Sequence, residues 1–463
     1  MTDLSADYLV VGSGAMGMAF TDVILSESDA SVIMIDRHHQ PGGHWNDAYP
    51  HVRLHQPSAF YGVNSKHLGS DRIDDTGWNA GLYELATNSE VVAYFDQVMQ
   101  HTFLSSGRVQ YFPSCEYLGD GQFESLVSGE KHSVTATKIV DATYMNVTVP
   151  SIRPPAYAIA DGVTCEPPNS LAKIRGQFSD YVVIGAGKTG MDACLFLLKN
   201  QVDPDHIRWI MPRDSWMLDR ANIQPGNLFA ESIGRTFTEQ LQDTAAASSV
   251  EDLFARVEAR GGLLRLDSNI TPTMYRCATV TKAELQQLRR IEQVIRKGHV
   301  TSIDVDTIHL DNGTEPTNTG TLHIDCSADG LERRPECQVF DGKQITLQSV
   351  RTCQQVFSAA FIAHIECTYQ DEATKNDICT PVPHPDTDID FLRTGLANAL
   401  NGARWAEDPE LQAWLKAARL DGFSNADAPD PDLTDPEVQA NMAQLADLAK
   451  ASTANLQKLL AEL

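Results

Sequence analysis

Two short runs of apolar residues, each followed at once by a glycine-rich turn, are the clearest pattern along the chain. The first run occupies residues 8–12 (Tyr-Leu-Val-Val-Gly) and the second residues 180–184 (Asp-Tyr-Val-Val-Ile). Runs that are this short and apolar throughout are typical of parallel strands buried on both faces. Apolar residues at helical spacing and a further apolar run follow each turn, at 19–25 and 31–35 and again at 191–198 and 207–211. The pattern therefore predicts two strand–turn–helix–strand units in an α/β chain.

The first turn has the G-x-G-x-x-G spacing of a dinucleotide-binding site. Gly12 permits the tight turn, Gly14 lets the backbone approach a pyrophosphate, and Gly17 lets the helix pack closely on the strand. The helix N-terminus supplies unpaired N–H groups and partial positive charge to the phosphates. Asp36 ends the second strand, at the spacing expected for a carboxylate that accepts hydrogen bonds from ribose hydroxyls.

The second turn, with Gly185, Gly187 and Gly190, repeats this spacing, but its second strand ends at Arg213 instead of a carboxylate. An arginine can bind a 2′-phosphate bidentately, whereas a carboxylate would repel it, so this unit is predicted to prefer NADPH over NADH. A solvated surface arginine is the alternative for Arg213. For Lys188, phosphate contact and solvent exposure are both open. Two dinucleotide folds in one chain imply FAD in the first and NADPH in the second, with hydride passing between them.

The segment after the first unit narrows the family. Residues 42–45 read Gly-Gly-His-Trp, and residues 49–53 read Tyr-Pro-His-Val-Arg. This stretch resembles the flavin-containing and Baeyer–Villiger monooxygenases, the class B flavoprotein monooxygenases, which place a G-G-x-W after the FAD ribose carboxylate and then a Tyr-Pro and an arginine. The resemblance covers residues 7–60 and 180–213.

The resemblance implies two Rossmann-like domains, with an FAD domain interrupted by an inserted NADPH domain. We expect the FAD domain at residues 1–150 and 326–463 and the NADPH domain at 151–325, with a helical insertion near 214–300. Helices are predicted at 250–260 and 282–295 from their apolar spacing. In such enzymes NADPH reduces FAD, O₂ adds at the flavin C4a, and the resulting peroxide or hydroperoxide oxygenates a small organic substrate.

The candidate cofactor residues are those of the matched motifs. For FAD they are Gly12, Gly14, Ala15, Met16, Gly17, Asp36, Arg37, Gly43, His44, Trp45, Ala142 and Thr143. For NADPH they are Gly185, Gly187, Lys188, Thr189, Gly190 and Arg213.

Three residues are candidates for the chemistry beside the flavin. His55 stands where the family usually has an asparagine, Gln56 follows it, and either could hydrogen-bond a reacting oxygen. A structural histidine bonded to the backbone is the alternative for His55. Arg53 could balance an anionic flavin or could pair with an acidic residue. The F-x-G-x-x-x-H fingerprint of the family is absent, because residues 150–180 contain no histidine.

The nine cysteines contain no C-x-x-C pair. This spacing argues against a disulfide reductase, whose redox pair lies next to the flavin, although a pair assembled by the fold stays open. Scattered cysteines fit a reduced compartment. The histidines near Trp45 lack the spacing of metal ligands, so no metal is predicted.

Charge and hydropathy set the remaining expectations. The 36 Lys and Arg against 62 Asp and Glu give a net charge of −26, which disfavours nucleic acid and anionic membranes as partners. An acidic start and the lack of a long apolar run predict a cytoplasmic protein. The tail from Asp435 has an apolar heptad stripe that could form a homodimer or pack on its own chain.

Two alternative functions stay open. One is a flavin reductase or dehydrogenase that passes electrons to another acceptor, and the other is a non-catalytic flavin-binding subunit.

Overall fold

The chain builds one unit, leaves it to build a second, and then returns to the first. In the computed structural model, which describes residues 2–175, 178–423, 432 and 434–463, the opening segment contains β1 (Thr2–Val11), α1 (Ala15–Glu27), β2 (Val32–Ile35), α2 (Asn88–Val98), β3 (Val109–Phe112), β4 (Cys115–Gly119), β5 (Gln122–Ser125) and β6 (Lys131–Asp141). The middle segment contains β7 (Ala158–Ile159), β8 (Thr164–Glu166), α3 (Pro168–Leu171), β9 (Asp180–Ile184), α4 (Lys188–Lys199), β10 (Ile207–Ile210), β11 (Ser215–Asp219), α5 (Ala230–Ala246), α6 (Val250–Ala259), β12 (Leu263–Leu264), β13 (Met274–Val280), α7 (Lys282–Leu288), β14 (Val294–Ile295), β15 (Val300–Ile303), β16 (Thr307–Leu310), β17 (Gly313–Pro316) and β18 (Thr321–Asp325). The closing segment contains β19 (Phe340–Asp341), β20 (Gln344–Thr346), α8 (Gln355–Thr368), α9 (Glu372–Ile378), α10 (Asp390–Trp405), α11 (Pro409–Ala417) and α12 (Pro436–Ala461).

The first sheet has the strand order β19-β20-β6-β1-β2-β3, and β4 and β5 extend it beside β6. Its central strands β6, β1, β2 and β3 are parallel, and all four residues of β2 are buried. Helices α1 and α8 pack against each other, and both are buried along most of their length. Because β20 pairs with β6, the closing segment completes the sheet that the opening segment began.

The second sheet lies in the middle segment and has the order β14-β10-β9-β18-β8, with every pairing parallel. Its interior strand β18, between β9 and β8, is buried at all five residues. A four-stranded sheet, β17-β16-β15-β7, packs beside it. Two sheets with parallel central strands, each containing a strand–turn–helix–strand unit and the second inserted within the chain of the first, confirm the predicted α/β fold class.

The region around 214–300 is less helical than predicted. Helices α5, α6 and α7 are present, but they share it with the three-stranded sheet β12-β11-β13. The helix predicted for 282–295 ends at Leu288, and the prediction is wrong beyond that residue. Val294 and Ile295 instead form β14 as an edge strand paired with β10. Two β-branched residues favour a strand, and the pairing with β10 outweighs the helical spacing of the sequence.

The carboxyl-terminal helix α12 packs against α5 and α10 through its second half. Leu456 and Leu459 are buried there, whereas Met442 and Leu445 in the first half are 51% and 40% exposed. Asn455 ties the helix to the middle segment by donating to the main-chain carbonyls of residues 244 and 247. The heptad stripe is therefore used for packing within the chain in its second half, and dimerisation stays a prediction. None of the helices in the described ranges is both long and apolar enough to cross a bilayer.

Candidate functional site

A single cavity of about 1530 Å³ connects the glycine turns of the two sheets. The turns follow β1 and β9, so the cavity lies at the carboxyl ends of the parallel strands, where open α/β sheets bind their ligands. Of the predicted residues, its wall includes Gly12, Gly14, Ala15, Met16, Asp36, Arg37, Gly43, His44, Trp45, Arg53, His55, Gln56, Ala142, Thr143, Gly187, Lys188 and Thr189. In the described part of the chain, Gly17, Gly185, Gly190 and Arg213 are not part of that wall.

The first turn leaves no room for side chains. Gly12 has a φ of +101°, and a Cβ built on Gly17 would lie 2.0 Å from the Gly12 carbonyl oxygen. A Cβ built on Gly43 would lie 2.9 Å from the Gly14 Cα. Helix α1 therefore sits directly on the end of β1, and bare backbone from two segments faces the cavity beside its N-terminus. This is the cradle that a pyrophosphate needs.

Asp36 is held in place as a carboxylate. It accepts hydrogen bonds from the Ser13 amide at 2.6 Å and from the Ser13 hydroxyl at 3.0 Å. The Nδ1 of His38 lies 2.9 Å from its other oxygen, and the Nε2 of His38 lies 2.8 Å from Asp47. Burial alone would raise the pKa of Asp36, but the hydrogen bonds from His38 and Ser13 outweigh it and lower the pKa. The same carboxylates raise the pKa of His38. Sequence reasoning missed His38, although its position two residues after Asp36 was the available signal.

An aromatic wall follows the turn. Trp45 is buried, and its indole N–H donates to the Tyr61 hydroxyl at 2.7 Å. The two rings meet edge to face with centroids 5.9 Å apart. Because the indole N–H is already satisfied, the orientation of the Trp45 ring is fixed. Burial lowers the pKa of the neighbouring His44 to about 4.

The second turn repeats the geometry of the first. Gly185 has a φ of +126°, and a Cβ built on Gly190 would lie 2.2 Å from the Gly185 carbonyl oxygen. That oxygen also accepts a hydrogen bond from the Trp209 indole at 2.8 Å. The start of helix α4 therefore packs directly against the end of β9, in the same way that α1 packs against the end of β1.

A buried polar network joins this turn to the first unit. Lys188 forms an ion pair with Asp192, one helical turn further along α4. The Tyr49 hydroxyl donates to the same carboxylate at 2.7 Å. Burial, followed by the charge of Asp192, raises the pKa of Tyr49 well above its ordinary value. Lys188 is therefore neither free in solvent nor unpaired. The i,i+4 spacing of Lys188 and Asp192 was the sequence signal for this pair.

Both His55 and Gln56 reach the cavity, and Arg53 lines it as an exposed residue. Burial, followed by the positive charge of Lys188, lowers the pKa of His55 to about 3, so this ring is neutral near pH 7. Its backbone carbonyl accepts a hydrogen bond from Arg220 Nε at 2.6 Å. Arg220 is only 1% exposed and also forms an ion pair with Glu284 at 2.9 Å. A buried arginine from the middle segment thus holds the loop that carries His55.

Arg213 is engaged by a carboxylate. It donates to both oxygens of Asp386, at 2.8 and 3.3 Å. Arg276 and Arg333 contact the same carboxylate, at 2.6 and 3.1 Å. Burial acts to raise the pKa of Asp386, but the hydrogen bonds from Arg213 and Arg276 lower it to about 2. A second carboxylate, Asp329, lines the cavity 3.6 Å from Arg276 and 3.9 Å from Arg333. Three guanidinium groups therefore face two carboxylates beside the cavity, which Arg276 also lines.

A disulfide that the cysteine spacing did not indicate lies in the cavity wall. It joins Cys277 to Cys353, which are 76 positions apart in the chain. The scattered cysteines indicated a reduced compartment; seven of the nine are free in the structure, and this pair departs from that expectation. The sequence left open a pair assembled by the fold, and this disulfide is such a pair; its use as the redox pair of a reductase stays a prediction.

Comparisons with known proteins identify relatives and the fold. The chain is 55% identical over 417 residues to the Mycobacterium bovis protein Mb2023 and to the Mycobacterium tuberculosis protein Rv2000, both described as uncharacterized, and the match covers 90% of this chain and 78% of each relative. No family model matches the chain.

Two solved structures share the fold. Cyclohexanone monooxygenase from Rhodococcus sp. Phi1, bound to NADP⁺, is 12% identical with a TM-score of 0.50, over 79% of this chain and 84% of that one. An oxidized steroid monooxygenase bound to NADP is 14% identical with a TM-score of 0.50, over 78% of this chain and 85% of that one. The chain therefore has the fold of the class B flavoprotein monooxygenases, as the sequence resemblance implied.

Proposed function

We propose that this chain, which belongs to the same family as the mycobacterial proteins Rv2000 and Mb2023 and has the class B flavoprotein monooxygenase fold, is an FAD-containing monooxygenase that uses NADPH and O₂ to oxygenate a small organic molecule. The observation that carries the proposal is the single cavity onto which both glycine turns open. Two dinucleotides that share one cavity can exchange a hydride directly.

The first turn fits FAD. The bare backbone of Gly14 and Gly43 would receive the pyrophosphate at the N-terminus of α1, and the ionised Asp36 would accept hydrogen bonds from ribose hydroxyls. Trp45 and Tyr61 would form an apolar wall that limits access of water. When bound, FAD supplies the electron transfer and oxygen reactivity that side chains lack.

The second turn fits NADPH. Gly187 and Lys188 would meet the pyrophosphate at the N-terminus of α4. Arg276, which lines the cavity, would receive the 2′-phosphate, because Asp386 and Asp329 neutralise only part of the charge of the three arginines. Arg213 lies outside that wall and would reach the 2′-phosphate only by giving up a hydrogen bond to Asp386. The sequence indicated only Arg213. Arg276 and Arg333, which share its partner Asp386, further support the preference for NADPH.

The remaining wall of the cavity favours a small organic substrate. Leu218, Ile233 and Phe391 line it together with the neutral His55 and with Gln56. A neutral imidazole and an amide can each hold a reacting oxygen by hydrogen bonds without adding charge to an apolar pocket. Arg53, at the exposed edge, would provide positive charge where an anion develops.

The test is anaerobic mixing of the purified holoprotein with NADPH or NADH, followed by ¹⁸O₂ in the presence of a probe. Cyclohexanone tests oxygen insertion, and methyl phenyl sulfide tests heteroatom oxygenation. We expect NADPH to bleach the flavin faster than NADH and one probe to gain one ¹⁸O atom. Flavin that stays oxidised with NADPH overturns the proposal. Rapid electron transfer to benzoquinone with no labelled product would favour the reductase alternative.

A further inference from the structure

The Cys277–Cys353 disulfide crosses between the two parts of the molecule. Cys277 belongs to β13 of the middle segment, and Cys353 lies in the turn between β20 and α8 of the closing segment. Both residues line the cavity that holds the glycine turns. The disulfide therefore lines the same cavity as both proposed cofactor sites.

The backbone at both cysteines is held in an unfavourable conformation. Cys277 has a φ of +54° and Cys353 a φ of +57°, in the left-handed region that residues with a Cβ rarely adopt. Cys277 sits where the register of β11 and β13 shifts, between the pairs of Trp216 and Leu218. A bulge of this kind redirects a side chain, and such strain is typical of functional sites.

Hydrogen bonds to α10 hold the turn that carries Cys353 in place. The Thr352 amide donates to Asn398 Oδ1 at 3.0 Å, and Asn398 Nδ2 donates to the Thr352 hydroxyl at 2.7 Å. Cys353 comes directly before Gln354, the N-cap of α8. Once the disulfide is opened, the partial positive charge at this helix N-terminus would stabilise a Cys353 thiolate, the reactive form of the residue.

We propose that Cys277 and Cys353 form a redox-active disulfide that takes two electrons from the flavin. The inference rests on the proposed function, which supplies the reductant. NADPH and one proton give NADP⁺ and two reducing equivalents to FAD, and FAD passes them to the disulfide. The S–S bond breaks, each sulfur gains one electron and one proton, and two thiols result. The reduced flavin can therefore pass its electrons either to O₂ or to the cysteine pair, which holds two electrons when it is reduced to two thiols.

The experiment is an anaerobic titration of the oxidised holoprotein with NADPH, read by flavin absorbance and by the number of cysteines alkylated after denaturation. We expect seven alkylated cysteines before NADPH and nine after it. The wild type should consume two equivalents of NADPH per FAD, and Cys277→Ser or Cys353→Ser should consume one. Cys337→Ser, which removes an exposed free thiol, is the matched control and should still consume two.

The outcomes separate this proposal from the proposed function. Nine alkylated cysteines before any reductant, or seven after complete bleaching of the flavin, would overturn the redox-active pair while leaving the monooxygenase proposal in place. If NADPH fails to bleach the flavin, the proposed function fails, and photoreduction of the bound FAD delivers the electrons instead. Nine alkylated cysteines after photoreduction would support the pair, and seven would overturn it. A protein without bound FAD would overturn both proposals.

Discussion

At the scale of single residues, Arg220 is the side chain that ties the candidate chemistry to the rest of the fold. Its guanidinium donates to the His55 carbonyl, to Asn79 and to the Thr279 carbonyl, and it forms an ion pair with Glu284. Removing one partner of a buried ion pair leaves the other charge buried without a partner, and this strongly destabilises the folded state.

We predict that Arg220→Met lowers the free energy of unfolding by about 3 kcal/mol, because Glu284 and the His55 carbonyl lose their donor. Chemical denaturation monitored by tryptophan fluorescence measures the change. Arg393→Met is the control, since Arg393 is 58% exposed in an i,i+3 pair with Asp390 and should cost at most about 1 kcal/mol. Equal losses in the two variants would contradict a special role for Arg220.

Residue-scale sequence reasoning could locate the first turn because every determinant of that turn lies close together in the chain. The turn at Gly12 and Gly14 and the carboxylate of Asp36 belong to one continuous strand–turn–helix–strand segment, so their spacing alone indicated a dinucleotide cradle. It could not reach Arg276 or Arg333, because these residues meet Asp386 only after β13 and the closing segment have been brought together.

At the scale of elements, the two cradles depend on how closely a helix sits on a strand. Gly17 and Gly190 occupy equivalent positions, and neither can accept a Cβ without displacing its helix from the carbonyl of the preceding turn. Each helix N-terminus would then move away from its phosphate position. The two units are separate sheets, so the effects of the two substitutions should be separable.

We therefore predict that Gly17→Ala weakens FAD binding at least tenfold and that Gly190→Ala retains FAD but loses affinity for NADPH to the same degree. Flavin content after dialysis and the NADPH dependence of flavin bleaching are the measurements. Lys199→Ala, at the exposed end of α4 and outside the cavity wall, is the control, because alanine favours a helix and neither cofactor affinity should change. Loss of FAD from both Gly17→Ala and Gly190→Ala would contradict separate cradles.

The error over residues 282–295 also belongs to the element scale. Apolar spacing predicted one continuous helix, and a capping box at Thr281 and Glu284 does start α7 there. The helix stops at Leu288 because the following residues are needed as the edge strand β14 beside β10. Local periodicity cannot report a strand partner some eighty residues earlier in the chain, and tertiary pairing decides such cases.

At the scale of the whole molecule, residues from all three segments line the cavity. The sequence alone could not predict which distant residues meet there. The disulfide shows it most directly, since Cys277 and Cys353 carry no local motif and meet only across the assembled fold. The same convergence buries histidines that would be exposed in the unfolded chain. Burial lowers the pKa of His44, His51 and His384 to about 4.

These buried histidines, with His55 at a pKa of about 3, make the stability of the whole molecule depend on pH. An unfolded histidine has a pKa of about 6.5, so below that pH the unfolded chain binds protons that the folded chain does not. We predict that stability falls as pH drops from 6.5 towards 4, by up to about 1.4 kcal/mol per pH unit for each buried histidine. His38 acts in a different pH range, because its raised pKa adds stability as pH falls from its folded pKa to about 6.5 and adds little further change below that.

Thermal unfolding of the holoprotein at pH 7.5, 6.5 and 5.5 measures the slope. His55→Gln should flatten the slope below pH 6.5, because glutamine cannot take up the proton that the unfolded histidine binds. His38→Asn should instead act between pH 7.5 and 6.5, where it removes the stability that protonated His38 adds. His299→Gln replaces a side chain that is 73% exposed and should leave the slope unchanged. A melting temperature that does not fall between pH 6.5 and 5.5 would mean that the cavity admits protons to these rings in the folded state. The site would then be open to water, contrary to the closed pocket that an oxygenating flavin requires.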